Sequence, residues 1–236
     1  MSLGKQIAWA LGYDVQLARK SESTIATVFS LLGKSRSDII LDVGANEGQF
    51  ARSILMRDRG RRVVSFEPIG AAWETMNRSA RGFANWHIAP RAAVGAAAGE
   101  VTLNVSALSV TSSIFDASAV AVQNFPQSAE ICPELVDVAR LDVLARPYLK
   151  PTDRIYLKVD TQGYEKEVLE GAKELMPQVT AMQLEMCRRP LFEGAPLMPE
   201  IMAMAESFGF KLFALTNGFR DRASNELYSL DGFFIR

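Results

Sequence analysis

Apolar residues alternate along most of the chain between the spacing of a buried strand and the spacing of a helix. The nearly continuous apolar run at 39–43 predicts a parallel strand that is buried on both faces. Over 50–55, apolar side chains recur three and four residues apart, which predicts a helix that ends near Gly60. A strand at 62–66 and a helix at 70–80 repeat this pair. Such alternation indicates a doubly wound α/β domain with a mostly parallel sheet.

The same alternation continues in the second half of the chain. Strands are predicted within 86–94 and at 155–160, 181–186, 211–215 and 232–236. Helices are predicted at 163–175 and 199–208. No repeat, linker or low-complexity tract divides these elements, so residues 37–236 are predicted to form a single domain.

Two segments fall outside the alternation. Residues 1–36 carry apolar positions at helical spacing, and we interpret them as an N-terminal helical extension that forms a lid. Residues 100–106 alternate apolar and polar side chains as a half-exposed strand does, and 112–115 is placed to pair with it as a hairpin. Residues 117–135 contain two prolines and no clear period, so we interpret them as a loop with no more than one helical turn. The α/β domain is therefore expected to contain a central hairpin and loop insertion.

Charge and composition exclude several classes of protein and of site. With 26 basic and 27 acidic residues the net charge is −1, so no general nucleic-acid or anionic-membrane surface is expected. The single histidine, His87, rules out a zinc site built from several histidines, and the two cysteines form no CxxC motif. The apolar run at 7–11 is too short for the core of a signal peptide or for a spanning helix. We expect a cytoplasmic protein without nucleic-acid partners or stable membrane insertion.

The sharpest local signal follows the first predicted strand. The segment DVGANEG at 42–48 is a strand end, a glycine-rich turn and a helix start, where backbone N–H groups can face a ligand. It lacks the third glycine of dinucleotide binders. Glu67 ends the next strand, where a carboxylate can accept hydrogen bonds from both hydroxyls of a ribose, and Asp42 suits a ligand with an ammonium group. The pair fits S-adenosylmethionine better than NAD; the alternative is a tight turn in which Asp42 binds only backbone.

Two further carboxylates end later strands. Asp160 closes the strand at 155–160, and Glu185 lies at the end of the strand at 181–186. Ligands of open α/β sheets bind outside the carboxyl ends of the strands, so both are expected at the same edge of the sheet as the cofactor. We interpret them as candidate catalytic residues and prefer Asp160 as the base. The alternative for Asp160 is a cap on the following helix.

Several motifs together resemble the FkbM-type S-adenosylmethionine-dependent methyltransferases over about residues 38–236. They are LDVGANEGQF at 41–50, FEP at 66–68, AVG at 93–95, Ser112 and Ser113, LKVDTQGYE at 157–165, VLEGA at 168–172, LFEG at 191–194, FGF at 208–210 and DGFF at 231–234. The first motif alone indicates only a class I methyltransferase. The block around Asp160 and the tail make the resemblance specific to the family.

The resemblance implies a class I, Rossmann-like fold, S-adenosylmethionine as cofactor and S-adenosylhomocysteine as product. It also implies methyl transfer to a hydroxyl oxygen of a small-molecule or sugar-containing acceptor, such as a glycoside or another natural product. The cofactor-binding positions that it implies are Asp42, Gly44, Asn46, Gly48, Glu67 and Ala93. Ser113 and Gln162 are assigned to the acceptor; many members of the family carry glutamate at the position of Gln162, so no role as a base is expected of the glutamine.

Other interpretations stay open at the level of the sequence. One is an N-methyltransferase on the same fold, and another is a catalytically inactive subunit that binds S-adenosylmethionine for a partner. An NAD-dependent oxidoreductase is disfavoured by the missing third glycine and by Asp42. No metal is predicted, because no third ligand accompanies Asp160 and Glu185.

Overall fold

The computed structural model describes residues 24–106, 112–129, 131–221 and 224–236. In these segments ten strands occur in chain order: β1 (Ile39–Val43), β2 (Arg62–Phe66), β3 (Trp86–Ile88), β4 (Ala93–Val94), β5 (Gly99–Ser106), β6 (Ile131–Ala139), β7 (Ile155–Val159), β8 (Val179–Cys187), β9 (Lys211–Asn217) and β10 (Ser229–Ile235). The helices are α1 (Thr24–Ser35), α2 (Gln49–Leu55), α3 (Gly70–Ala80), α4 (Ala119–Asn124), α5 (Leu141–Leu144), α6 (Glu165–Gly171) and α7 (Met198–Ser207). Short 3-10 turns lie at Pro126–Ala129, Arg146–Tyr148 and Lys173–Leu175.

Seven of these strands form the central sheet, in the order β3-β2-β1-β7-β8-β10-β9. Strands β3, β2, β1, β7 and β8 are parallel, and β10 runs antiparallel between β8 and β9. Every residue of β1 and of β7 is buried, as the nearly continuous apolar runs predicted. Because β1, β2, β7 and β8 all end at the same edge, their last residues and the turns after them come together there. We call it the carboxyl edge.

Helices cover both faces of the sheet. On one face, apolar residues of α1, α2 and α3 pack on Ile40, Tyr156 and Phe233 of the sheet. On the other face, α5, α6 and α7 pack on Leu41, Leu157 and neighbouring strand residues. The predicted doubly wound α/β architecture with a mostly parallel sheet is therefore confirmed.

Helix α1 lies in the segment that was predicted to be an N-terminal extension. It buries Val28, Leu31 and Leu32 in the same core as the central sheet. The other predictions for this segment fall on residues 1–23, outside the described residues. Within the described ranges, no helix is long and apolar enough to cross a membrane.

The middle of the chain forms a second sheet, with the strand order β4-β6-β5. Our prediction of a loop over 117–135 was wrong in part, because α4 and the first half of β6 lie there. The main partner of β5 is β6, whereas Ser113 forms only an isolated bridge to Asn104. In the sequence, Pro133 argued against a strand. In the structure, Pro133 lies where β6 is paired on one side only, and proline is tolerated at such a position.

Candidate active site

A cavity of about 450 Å³ opens at the carboxyl edge of the central sheet. This volume is in the usual range for small-molecule sites. Its walls include the turn after β1, the end of β2 and the turn after β7. Leu103 and Ile114 line it on the side of the second sheet, and Thr24 contributes the first residue of α1. The cavity thus lies where the carboxyl ends of the strands were expected to bind a ligand.

The turn after β1 is joined to the end of β2. The backbone N–H groups of Gly44 and Ala45 both donate to the carbonyl of Phe66 at 3.1 Å. The backbone N–H of Asn46 donates to Glu67 Oε2 at 2.6 Å, and that of Ile69 donates to Glu67 Oε1 at 2.9 Å. A single carboxylate therefore ties both segments together at the cavity wall.

Glu67 lies at the cavity wall and is almost fully buried. Burial raises its pKa from 4.5 to about 7, against the two backbone hydrogen bonds that favour the ionised form. Each carboxylate oxygen has two lone pairs and uses one on a backbone donor, so one on each remains for a ligand. Two free acceptor positions side by side are what a ribose diol requires.

The two glycines of the turn are needed for packing more than for a ligand. A Cβ on Gly44 would lie 1.8 Å from the carbonyl oxygen of Asp160, and one on Gly48 would lie 2.4 Å from a ring carbon of Trp86. Both residues have positive φ, 72° and 84°. Gly44 still lines the cavity through its backbone, but Gly48 does not. The structure gives Gly48 a packing role, since its missing side chain makes room for Trp86, and its contact with the cofactor stays a prediction.

Asp42 is fully buried and does not reach the cavity wall. Its Oδ1 pairs with Lys158 Nζ at 3.3 Å, and its Oδ2 accepts from Ser65 Oγ at 3.1 Å. Burial raises the pKa of Asp42, and the Lys158 ammonium opposes that shift. The expected contact between Asp42 and a ligand's ammonium group does not fit this arrangement, because the chain supplies its own ammonium group there.

Lys158 is a charged residue of the site that the sequence analysis missed. Its Nζ lies 3.3 Å from Asp42, 3.5 Å from Asp160 Oδ2 and 3.1 Å from the carbonyl of Gly44. The side chain is 6% exposed and lines the cavity. A lysine inside an otherwise apolar strand was the available signal, since a buried charge requires partners.

Asp160 and Glu185 lie together at the ends of β7 and β8, and Gln162 joins them. Gln162 Nε2 donates to Asp160 Oδ1 at 2.8 Å and to Glu185 Oε2 at 2.6 Å. Asp160 lines the cavity and its side chain is 37% exposed, whereas Glu185 is absent from the wall. Burial would raise the pKa of Asp160, but Lys158, then Glu185 and then Gln162 outweigh it and hold the pKa below its ordinary value. Burial, and then the charge of Asp160, raise the pKa of Glu185 well above its ordinary value.

Ser113 and Ala93 were also predicted at the site. Ala93 lines the cavity. Ser113 is buried and does not; its Oγ donates to the carbonyl of Gln162 at 2.6 Å and accepts from the backbone N–H of Phe115 at 3.0 Å. The assignment of Ser113 to the acceptor is corrected to a contact behind the turn after β7, while its neighbour Ser112 lines the cavity.

Asp231 and Gln183 complete the polar side of the cavity and were not singled out from the sequence. Gln183 Nε2 donates to Asp231 Oδ1 at 3.2 Å, and both residues line the wall. Burial, and then the charge of Asp160, raise the pKa of Asp231 to about 6. Asp231 belongs to the DGFF motif, but β10 is distant in sequence from the other site residues. The sequence therefore did not predict that Asp231 lies at the cavity. Across the residues that the structure describes, no group of three or more His, Cys, Asp or Glu is arranged to hold a metal ion.

One comparison with known proteins matches a family over most of the chain. The model of the FkbM methyltransferase domain matches residues 42–212. No curated protein matches the sequence. Among solved structures, magnesium protoporphyrin IX methyltransferase from Synechocystis PCC 6803 with bound SAM has a TM-score of 0.47 and 10% identity, with 100% of this chain and 92% of that chain covered. Fibrillarin from Aeropyrum pernix with natively bound S-adenosyl-L-methionine has a TM-score of 0.48 and 11% identity, with 84% and 66% covered. Likeness at this level does not extend to substrate or chemistry.

Proposed function

The chain belongs to the FkbM methyltransferase family, and we propose that it transfers a methyl group to a hydroxyl oxygen of a small-molecule or sugar-containing acceptor. Its cofactor is S-adenosylmethionine, which leaves as S-adenosylhomocysteine. The observation that carries the choice of oxygen is the placement of Asp160: an ionised carboxylate on the cavity wall, beside the turn after β1. A hydroxyl needs such a group to take its proton, whereas a neutral amine attacks without one.

We place the cofactor along the turn after β1. Glu67 would accept from the two ribose hydroxyls, and the backbone of Gly44 and Asn46 would face the ligand with Ala93 across the cavity. This arrangement is supported by the free lone pairs of Glu67 and by the open backbone surface of Gly44. It leaves Asp160 at the neighbouring strand end, where the methyl acceptor would stand.

When bound, the cofactor would supply an electrophilic methyl carbon; the acceptor oxygen would form its bond to that carbon as the carbon–sulfur bond broke, with the electron pair left on sulfur. Asp160 accepts the hydroxyl proton as this happens, which is worth roughly 10²–10⁴-fold in rate. The Lys158 ammonium at 3.5 Å keeps Asp160 ionised but also makes it a weaker base. Alignment of the acceptor by the cavity walls must therefore supply most of the acceleration, up to about 7–11 kcal/mol.

The test is methyl transfer to a panel of glycosides with free hydroxyls and to a matched panel of amines, followed by mass spectrometry. We expect mass gain on the hydroxyl panel, and we expect Asp160→Asn to lose at least about a hundredfold in turnover while it still binds S-adenosylhomocysteine. Asp137→Asn, an exposed aspartate on β6, is the matched control and should keep full turnover. Transfer to amines alone would replace the proposal by N-methylation. Binding of S-adenosylhomocysteine without any transfer would favour an inactive partner subunit.

Three further parts of the prediction stay proposals. Within the predicted N-terminal extension of the single domain 37–236, helix α1 would help to cover the site, which the position of Thr24 at the cavity wall supports. The acceptor would be a small molecule and not a nucleic acid. A cytoplasmic location is favoured by the scarcity of cysteine.

A further inference from the structure

Gln162 is the side chain that joins the two candidate catalytic carboxylates. Its amide nitrogen lies 2.8 Å from Asp160 Oδ1 and 2.6 Å from Glu185 Oε2. A side-chain amide has two N–H donors, so both are in use between these groups. Asp160 is thereby held at both oxygens, by Gln162 at Oδ1 and by Lys158 at Oδ2.

The backbone around Gln162 is held in a conformation that glutamine rarely adopts. Its φ is +55°, in the left-handed region that favours glycine. Such a conformation persists when the surroundings over-determine it. Here Ser113 Oγ donates to the Gln162 carbonyl at 2.6 Å, and Glu165 Oε1 accepts from the backbone N–H groups of Thr161 and Gly163. The fold itself therefore aims the Gln162 amide between the two carboxylates.

The charges around the pair are unequally distributed. The charged and titratable groups that face it from the packed elements are Asp42, Lys158, Glu165, Cys187 and Asp231. Lys158 forms an ion pair with Asp160 at 3.5 Å, whereas Glu185 receives repulsion from Asp160 and Glu165. Lys158 and Gln162, which hold Asp160 in place, also favour its charged form, and so does Glu185.

We propose that Gln162 is a positioning residue for the transfer, whose amide holds the Asp160 carboxylate at the cavity wall and joins it to Glu185 behind it. The proposal rests on the role of Asp160 in the proposed function. The Gln162 amide donates a hydrogen bond to each of the two carboxylates. An ionised carboxylate at this position could not do so, because it has no hydrogen to donate.

The experiment measures the protonation of Asp160 and Glu185 directly and requires no methyl acceptor. The protein is labelled with ¹³C at the carboxyl carbons of aspartate and glutamate, and NMR titrations are recorded with and without S-adenosylhomocysteine. Asp160→Asn and Glu185→Gln assign the two signals by their disappearance. In the wild type we expect Asp160 to titrate below, and Glu185 above, the ordinary range. In Gln162→Leu, which loses both donors, the Asp160 midpoint should rise by about one to two pH units.

Gln178→Leu is the matched control, since Gln178 directly precedes β8, at the end opposite to Glu185, and donates to the carbonyl of Pro151. It should leave both midpoints unchanged. Should Gln162→Leu fail to fold, Gln162→Asn keeps an amide that is one methylene too short to reach both carboxylates, and it should shift Asp160 in the same direction. An unshifted Asp160 midpoint in the folded variant overturns the proposal, and so does a wild type in which Asp160 is the protonated member. A correct titration pattern in an enzyme that transfers no methyl group would instead count against the proposed function.

Discussion

The two turns at the carboxyl edge differ in the contacts that hold them and in the groups that they present to the cavity. The turn after β1 is held by backbone hydrogen bonds to Phe66 and by one carboxylate, Glu67, and it presents backbone surface to the cavity. The turn after β7 is held by side chains that reach it from other elements, among them Ser113 and Glu185. The first turn offers a shape for a ligand, and the second offers charges whose protonation is set by their neighbours.

This difference predicts different responses to substitution. Substitutions in the first turn should act through steric clashes and backbone strain, so they should affect folding and cofactor binding. Changes in the second turn should act through charge, so they should affect protonation and turnover. The variants below test this contrast, from the largest expected effect to the smallest.

Gly44→Val should give the largest effect, loss of the folded state. The new Cβ would meet the carbonyl oxygen of Asp160 at 1.8 Å, and valine at a φ of 72° adds strain. We expect destabilisation of at least about 4 kcal/mol, measured by thermal unfolding followed by circular dichroism. Gly33→Val is the control, because nothing lies within 4 Å of a Cβ there. A folded Gly44→Val protein that has lost only cofactor binding would restore the ligand role of this glycine.

Lys158→Met should destabilise by about 3–5 kcal/mol, because it leaves Asp42 charged and unpaired in the core. The double variant Lys158→Met with Asp42→Asn should recover much of that loss, since neither member of the pair remains charged. Chemical denaturation of the single and double variants measures the coupling. Lys150→Met, an exposed lysine, is the control. Additive losses in the double variant would show that the ion pair does not hold the two strands together.

The same contrast explains how much could be predicted from the sequence. Strands β1, β2 and β7 are short apolar runs, and their burial on both faces follows from hydrophobicity alone. The turn after β1 and Glu67 lie close together in the sequence. Their spacing was therefore enough to predict a ligand site at the carboxyl edge. Asp160 and Glu185 were placed at the correct edge because strand ends in a parallel sheet converge.

What the sequence could not reveal depended on partners distant in the chain. Asp42 was expected to face a ligand, but a lysine 116 positions later, Lys158, neutralises it. Ser113 and Gln162 were both assigned to the acceptor, although Ser113 turns its hydroxyl to the backbone of Gln162. The strand β6 was missed because its alternation is weak and Pro133 interrupts it; pairing with β5 makes it a strand. In each case the side-chain contact or the strand depends on residues that are distant in the chain, so the local sequence pattern could not predict it.

Glu67→Ala should weaken cofactor binding without abolishing the fold. Two hydrogen bonds from ribose hydroxyls to an ionised acceptor are each worth about 1.5–3 kcal/mol, so the affinity for S-adenosylhomocysteine should fall by at least about a hundredfold. Isothermal titration calorimetry measures it. Glu100→Ala, at the exposed start of β5, is the control. An unchanged affinity in a folded Glu67→Ala protein would remove Glu67 from the cofactor site.

The pH dependence of cofactor binding is the smallest effect and the most direct test of the first turn. Burial raises the pKa of Glu67 from 4.5 to about 7, so the free protein carries it largely protonated at pH 6 and ionised at pH 8. If ribose hydroxyls donate to the ionised form, the affinity for S-adenosylhomocysteine should rise by up to about tenfold between these values. The stability of the free protein should change in the opposite sense: the folded state holds the proton that the unfolded state releases near 4.5, so the contribution of Glu67 is complete below that pH and is lost as pH rises through 7.

Calorimetry at pH 6, 7 and 8 measures the first effect, and chemical denaturation at the same values measures the second. Glu67→Gln, which cannot ionise, should flatten both profiles. Asp231→Asn, whose aspartate has a pKa raised to about 6 at the other side of the cavity, should keep the dependence near pH 7. If Glu67→Gln keeps the full rise in affinity and Asp231→Asn removes it, then the cofactor is held from the Asp231 side of the cavity, and the role given above to the first turn is wrong.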